Sequence, residues 1–78
     1  SIEQYDQMLE QQQGVCNICG HPPKTRRLGV DHDHKTGRVR ALLCHTCNKL
    51  RMGMNTLETA RRVLALLESD FDGRNIQP

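Results

Sequence analysis

Seventy-eight residues with one Tyr, one Phe and no Trp hold too little apolar bulk for a self-sufficient core, since unaided domains of this length are marginal. No apolar run reaches membrane-spanning length and no signal-peptide pattern opens the chain, which argues against a membrane protein and favours an intracellular, reducing setting. The formal charge is +2, but the segment from Lys24 to Arg51 carries eight of the eleven Lys and Arg and two of the nine acids, a local +6 against −4 elsewhere. A basic middle between acidic ends is the footprint of a phosphate-backbone binder; the plain alternative is a solvated surface with no partner.

The expected architecture is one small α+β domain: an N-terminal helix over residues 1–14, a metal-clamped core over 15–54, a C-terminal helix over 55–72 and a polar tail over 73–78. In "SIEQYDQMLEQQQG" Ser1 and Gln4 form a capping box and Gly14 ends the helix. Ile2, Tyr5, Met8, Leu9 and Gln12 share one face at helical spacing, a stripe suited to core packing.

"CNICGHPP" is a knuckle, stopped by Pro22 and Pro23. "RRLGVDHDH" then runs as a short strand into irregular backbone, "KTG" is a turn, and "RVRALLC" is a second strand with Val39, Ala41 and Leu43 alternating. Together they predict a hairpin. A helix restarts near Cys47, and "NTLETARRVLALLESDF" forms another, with Asn55 as its cap and Glu58 at the capping-box position. Its stripe of Leu57, Ala60, Leu64, Leu67 and Phe71 is expected to pack on the domain, with a homodimer seam as the alternative. The tail is expected to fray.

Cys16-x2-Cys19 and Cys44-x2-Cys47 supply four thiolates for tetrahedral Zn²⁺, each pair chelating from one turn. A site closed by four sulfurs leaves no open position, so this zinc is read as structural. Two disulfides or a redox dithiol are the competing readings. His21 and His45 flank the cysteines and are read as bystanders.

A structural zinc has no need of "DHDH". Asp31, His32, Asp33 and His34 adjoin one another, and Asn48 directly follows the last cysteine, on the first turn of a helix. A carboxylate and an amide oxygen converging from two elements are hard ligands suited to Mg²⁺. A neutral His beside them can take a proton from water. Metal, base and a basic surround are the requirements of phosphodiester hydrolysis.

The pattern "DHDHKTGRVRALLCHTCN", preceded by CxxC, resembles the recombination endonuclease VII family, a branch of the His-Me finger (ββα-metal, HNH-like) nucleases. The resemblance runs from Tyr5 to Gly53. It implies a zinc-stabilised ββα-metal core with flanking helices and a DNA endonuclease activity, either nicking or cleaving branched DNA. On this likeness Asp31 and Asn48 hold a catalytic Mg²⁺ or Mn²⁺, His32 is the general base, and His34 is a further active-site histidine. Cys16, Cys19, Cys44 and Cys47 match the zinc ligands.

In a regular strand Asp31 and His32 point to opposite faces, so both serve one site only where the backbone leaves strand geometry. Asp33 either binds metal or orients a histidine. Arg26, Arg27, Lys35, Arg38, Arg40, Lys49 and Arg51 are the expected DNA contacts. Without stacking aromatics, such contacts imply low sequence specificity.

The alternative function is a non-enzymatic zinc-ribbon module that docks on nucleic acid or on a larger machine. A phage or prophage source acting in the host cytoplasm fits the resemblance, as do a monomer or a homodimer through the C-terminal helix. A Ser1 start is compatible with a fragment of a longer chain.

Overall fold

The computed structural model describes residues 1–76. Helix α1 (Ile2–Gln11) begins on the expected reciprocal cap: the Ser1 hydroxyl accepts the Gln4 N–H, and the Gln4 side chain accepts from the Ser1 amine. Gln13 and Gly14 follow at φ 59° and 75°, and the Gly14 N–H reaches back to the Leu9 carbonyl. The helix is closed by the left-handed Gln13, whose N–H returns to the Glu10 carbonyl, with the glycine one residue beyond. Tyr5, Met8 and Leu9 pack on the core, whereas Ile2 stays exposed.

Strand β1 (Gly29–His32) pairs antiparallel with β2 (Val39–Leu43), forming the predicted hairpin as a two-stranded sheet. Gly29 opposes Leu43, Val30 opposes Leu42 and Asp31 opposes Ala41, but His32 opposes Val39. Arg40 is therefore the extra residue of a β-bulge beside the Asp31–His32 step. The irregularity lies on β2, opposite the Asp31–His32 step, while Asp31 and His32 themselves both stay within β1.

Asp33 closes the hairpin turn. Its Oδ1 accepts the N–H groups of Lys35 at 2.7 Å and Thr36 at 3.0 Å. The backbone bonds from Thr36 and Lys35, helped by the charges of Arg40 and Arg38, hold its carboxyl below the usual range.

The core consists of Leu28, Ala41, Leu42 and Leu43 together with Cys16 and Cys47. Simple alternation had placed Val39 inward and Leu42 outward. Instead Val39 is half exposed and Leu42 fully enclosed. The bulge breaks the alternation between Val39 and Ala41, and three consecutive buried residues mean that both faces of β2 are covered at that end. Along the strand edge, the Gln12 side-chain amide donates to the Leu42 carbonyl and accepts from the Leu42 N–H, each at 2.9 Å. One side chain thus satisfies edge groups that a third strand would otherwise pair.

After β2 the chain enters a helical turn that widens over Cys47–Met52 into π-helix, with the Gly53 N–H bonded to the Asn48 carbonyl five residues back. Such segments are rare and recur at functional sites. Gly53 is sterically required here, because a Cβ at that position would collide with the Lys49 carbonyl oxygen.

Helix α2 (Leu57–Glu68) corrects two expectations. Its cap is Thr56, whose hydroxyl accepts the Thr59 N–H at 3.1 Å. Asn55 lies one residue too early and accepts the Thr56 N–H instead. That shift moves Glu58 off the capping-box position, and it pairs on the surface with Arg62.

The apolar stripe does not pack on the domain either. Leu57, Leu64, Leu67 and Phe71 are all more than half exposed, and only Ala60 is partly covered. The helix runs outward from the core and gives the molecule extents of 59 × 29 × 20 Å. Residues 69–72, expected as helix, are irregular. The expected frayed tail instead begins with a 3₁₀ turn (Gly73–Asn75) capped by Asp72; residues 77–78 of that tail lie outside the described residues. No helix among the described residues is long and apolar enough to cross a membrane.

Candidate metal centre and active-site pocket

The knuckle and the start of the π-helical segment bring the Cys16, Cys19, Cys44 and Cys47 sulfurs within 4.8 Å of one another. None is in a disulfide. Tetrahedral Zn²⁺ with Zn–S bonds of 2.3 Å needs sulfurs about 3.8 Å apart, and Cys19 Sγ lies 3.9 Å from Cys44 Sγ. The sulfur set therefore fits a zinc ion, and the disulfide readings find no support. His21 and His45 stand outside the cluster, as expected.

The cysteine environments are unequal. Burial alone would raise the Cys16 thiol, but backbone bonds from Cys19, Cys44 and Ile18, with the Cys19 side chain, bring it down to about 6. Burial pushes the Cys47 thiol up to about 12 against the opposing hydrogen bond from Arg51. That bond, from Arg51 Nη1 to Cys47 Sγ, is 2.9 Å long. A guanidinium so placed offsets the negative charge that four thiolates leave around a divalent ion.

The π-helical segment that begins at Cys47 also carries Asn48. A side chain on Gly29 would begin only 3.2 Å from Asn48 Nδ2, so the amide lies directly on β1. Asp31 is two residues further along and shares that face of the strand. Asp31, Asn48 and His34 line one open pocket of about 680 Å³, with Asp33, Lys35 and Arg40 on its walls and the first turn of α2 along one side. The clip thus sets an amide and a carboxylate facing the same space.

Asp31 is the only buried charged residue among the described residues, 6% exposed. Arg40 grips it with both arms, Nε to Oδ2 at 2.9 Å and Nη2 to Oδ1 at 3.1 Å. His32 stands just beyond, exposed and off the pocket lining. Its ring lies 4.9 Å from that of His34, centroid to centroid.

The basic residues expected to meet DNA divide into two sets. Three are engaged within the chain: Arg27 over the Tyr5 ring at 4.1 Å, Arg40 on Asp31, and Arg51 on Cys47. Arg26, Lys35, Arg38 and Lys49 are exposed. Arg26 and Arg51 line a different cleft, of about 410 Å³, beside the cysteine cluster.

Sequence reasoning missed Gly29, Gly53 and Arg40 as determinants of the pocket. A lone glycine in a short strand could have flagged Gly29 as a point of close approach. Arg40's role depends on a bulge that no local pattern announces.

Comparison with known proteins agrees with the geometry. The Gene 59 protein of Mycobacterium phage L5 is 54% identical over 52 residues, covering 65% of this chain and 32% of that protein. The Gene 59 protein of Mycobacterium phage D29 is 45% identical over 73 residues, 92% of this chain and 41% of that protein. The chain thus spans well under half the length of these relatives. A family model described as recombination endonuclease VII matches residues 1–69. The chain belongs to the recombination endonuclease VII family.

Proposed function

We propose that this chain is the nuclease module of a phage-encoded DNA endonuclease of the ββα-metal (His-Me finger, HNH-like) type, acting with low sequence specificity in the host cell. The observation that carries this reading is the shared pocket of Asp31, Asn48 and His34, with the Asn48 amide laid on β1 beside Asp31. A buried carboxylate and an amide oxygen suit Mg²⁺ or Mn²⁺, which as a rule keeps waters and substrate phosphate as its remaining ligands. When bound, the ion offsets charge on the phosphate and the leaving oxygen.

The chain's own residues do the rest. His32 is assigned the proton of the attacking water from just outside the pocket lining; His34, which does line the pocket with its ring 4.9 Å away, steadies it or the phosphate. Lys35 and Arg38 at the hairpin, with Arg26 and Lys49, hold the DNA backbone without reading bases. The four cysteines would hold zinc, which would anchor Asn48 through its neighbour Cys47 and take no part in the chemistry. Nicking one strand needs one such site, and coordinated cleavage of two strands needs two at fixed separation. The exposed stripe of α2 supports the homodimer over the monomer as a route to such a pair.

His32→Ala should abolish plasmid nicking in Mg²⁺ while zinc content and DNA retention on a gel stay near wild type. Cleavage by His32→Ala at the original rate would overturn the assignment. The non-enzymatic zinc-ribbon reading predicts salt-sensitive binding and no cleavage by the wild type in Mg²⁺ or Mn²⁺.

A further inference from the structure

We propose that Arg40 is a positioning residue: it holds the Asp31 carboxylate in the pocket as a stand-in cation and must be displaced when a divalent ion binds. The inference rests on the reading of Asp31 as a metal ligand and adds a competitor built into the site.

Three observations lead to it. Arg40 is the unpaired residue of the bulge, and bulges re-aim side chains; its neighbour Ala41 is directed into the core, while Arg40 reaches across to β1. Its guanidinium takes one acceptor position on each oxygen of Asp31. A third bond, from Nη2 to the His32 carbonyl at 3.3 Å, fixes the guanidinium to the backbone of the adjoining residue as well. The Asp31 side chain is 7% exposed and that of Arg40 31%, so the carboxylate is enclosed while the guanidinium has an open path to leave.

A carboxylate this buried is costly without a counter-charge. Arg40 supplies one in the metal-free protein and keeps the oxygens oriented toward the pocket. Each oxygen keeps a second acceptor position, but a divalent ion taking it meets a positive group at contact distance, so the two cations compete for the carboxylate. The guanidinium, released beside the pocket, is then free to pair with the substrate phosphate. Arg40 thus weakens metal binding in the resting protein, and the substrate gains an arginine only once the metal is in place.

Mn²⁺ titration calorimetry on the zinc-loaded wild type, Arg40→Gln, Arg40→Met and Asp31→Asn tests this, with zinc content checking that each variant is folded. Both Arg40 variants should bind Mn²⁺ up to about five-fold tighter than wild type, the scale of one lost ion pair, while Asp31→Asn loses binding. If the Arg40 variants bind equally or more weakly and Asp31→Asn still loses binding, Arg40 is no competitor and the proposal fails alone. If Asp31→Asn binds as the wild type does, or no protein binds Mn²⁺, the ligand assignment fails and takes the proposal with it.

A wild-type experiment covers variants that lose zinc. Exchange of the Arg40 Nε proton with water, followed by NMR, should speed up as Mg²⁺ saturates the protein. An unchanged rate at saturation overturns the proposal.

Discussion

The Asn48 side chain occupies the space beside Gly29 that a side chain there would need: Nδ2 lies 3.2 Å from the point where a Cβ on Gly29 would stand. Asn48 is carried by the segment that the cysteines clamp, and Gly29 begins the strand that carries Asp31. This contact is the mechanical link between the sulfur cluster and the pocket. Gly29→Ala should push the Asn48 amide by a few tenths of an ångström. Misplacing a reacting group by 1 Å can cost about a hundred-fold, so nicking should fall on the order of ten-fold while the melting temperature changes little. Wild-type nicking by Gly29→Ala would show that the amide's position is immaterial.

Arg51 should matter to zinc rather than to DNA. Its hydrogen bond to Cys47 offsets thiolate charge, and loss of such outer partners costs roughly 10–100-fold in metal affinity. Competition with a chromogenic chelator should show Arg51→Ala releasing zinc at correspondingly lower chelator concentration, with Arg51→Lys between it and wild type. Equal zinc retention by all three proteins would remove Arg51 from the metal centre.

The hairpin turn should loosen on acidification. Asp33 is a carboxylate whose folded-state value is lowered, chiefly by the N–H bonds from Thr36 and Lys35. Its contribution is complete above the ordinary carboxylate value and disappears as pH falls through the lowered one. The amide protons of Lys35 and Thr36, followed by NMR, should titrate together with a midpoint below 3.8, and Asp33→Asn should abolish that step. A midpoint at or above 3.8 contradicts the turn's hydrogen-bond pattern.

The exposed face of α2 carries the proposal of self-association. Analytical ultracentrifugation should find a concentration-dependent dimer in the wild type, and Leu64→Glu should shift it to monomer without loss of zinc. A wild type that remains monomeric at high concentration removes α2 as a seam.

Where the chain itself sets the geometry, the residues could be read in advance. Two cysteines separated by two residues have little choice but to face one ion, and Asn48 follows Cys47 directly, so its placement came with the clip. The Ser1–Gln4 box and the hairpin around "KTG" were legible for the same reason, since each depends on a few adjacent residues. Arg40 was read only as a DNA contact, and its hold on Asp31 could not be seen, because that partner depends on strand register and a single extra residue redirects a side chain. Gln12 looked like one more member of a packing stripe; its reach to Leu42, thirty positions away, appears only once α1 is docked. The stripe on α2 was read correctly as apolar, yet periodicity does not say whether the surface that covers it belongs to the same molecule.

On the proposed reading, the sulfur-clamped helical segment and the hairpin hold one divalent ion between Asn48 and Asp31. The most direct measurement is an anomalous difference map at the manganese edge from a crystal of the zinc-loaded protein soaked in Mn²⁺. It should show a peak in the pocket within about 2.2 Å of an Asp31 carboxylate oxygen and the Asn48 amide oxygen, separate from the zinc among the four sulfurs. Density for zinc alone, at Mn²⁺ concentrations that support cleavage, would contradict it.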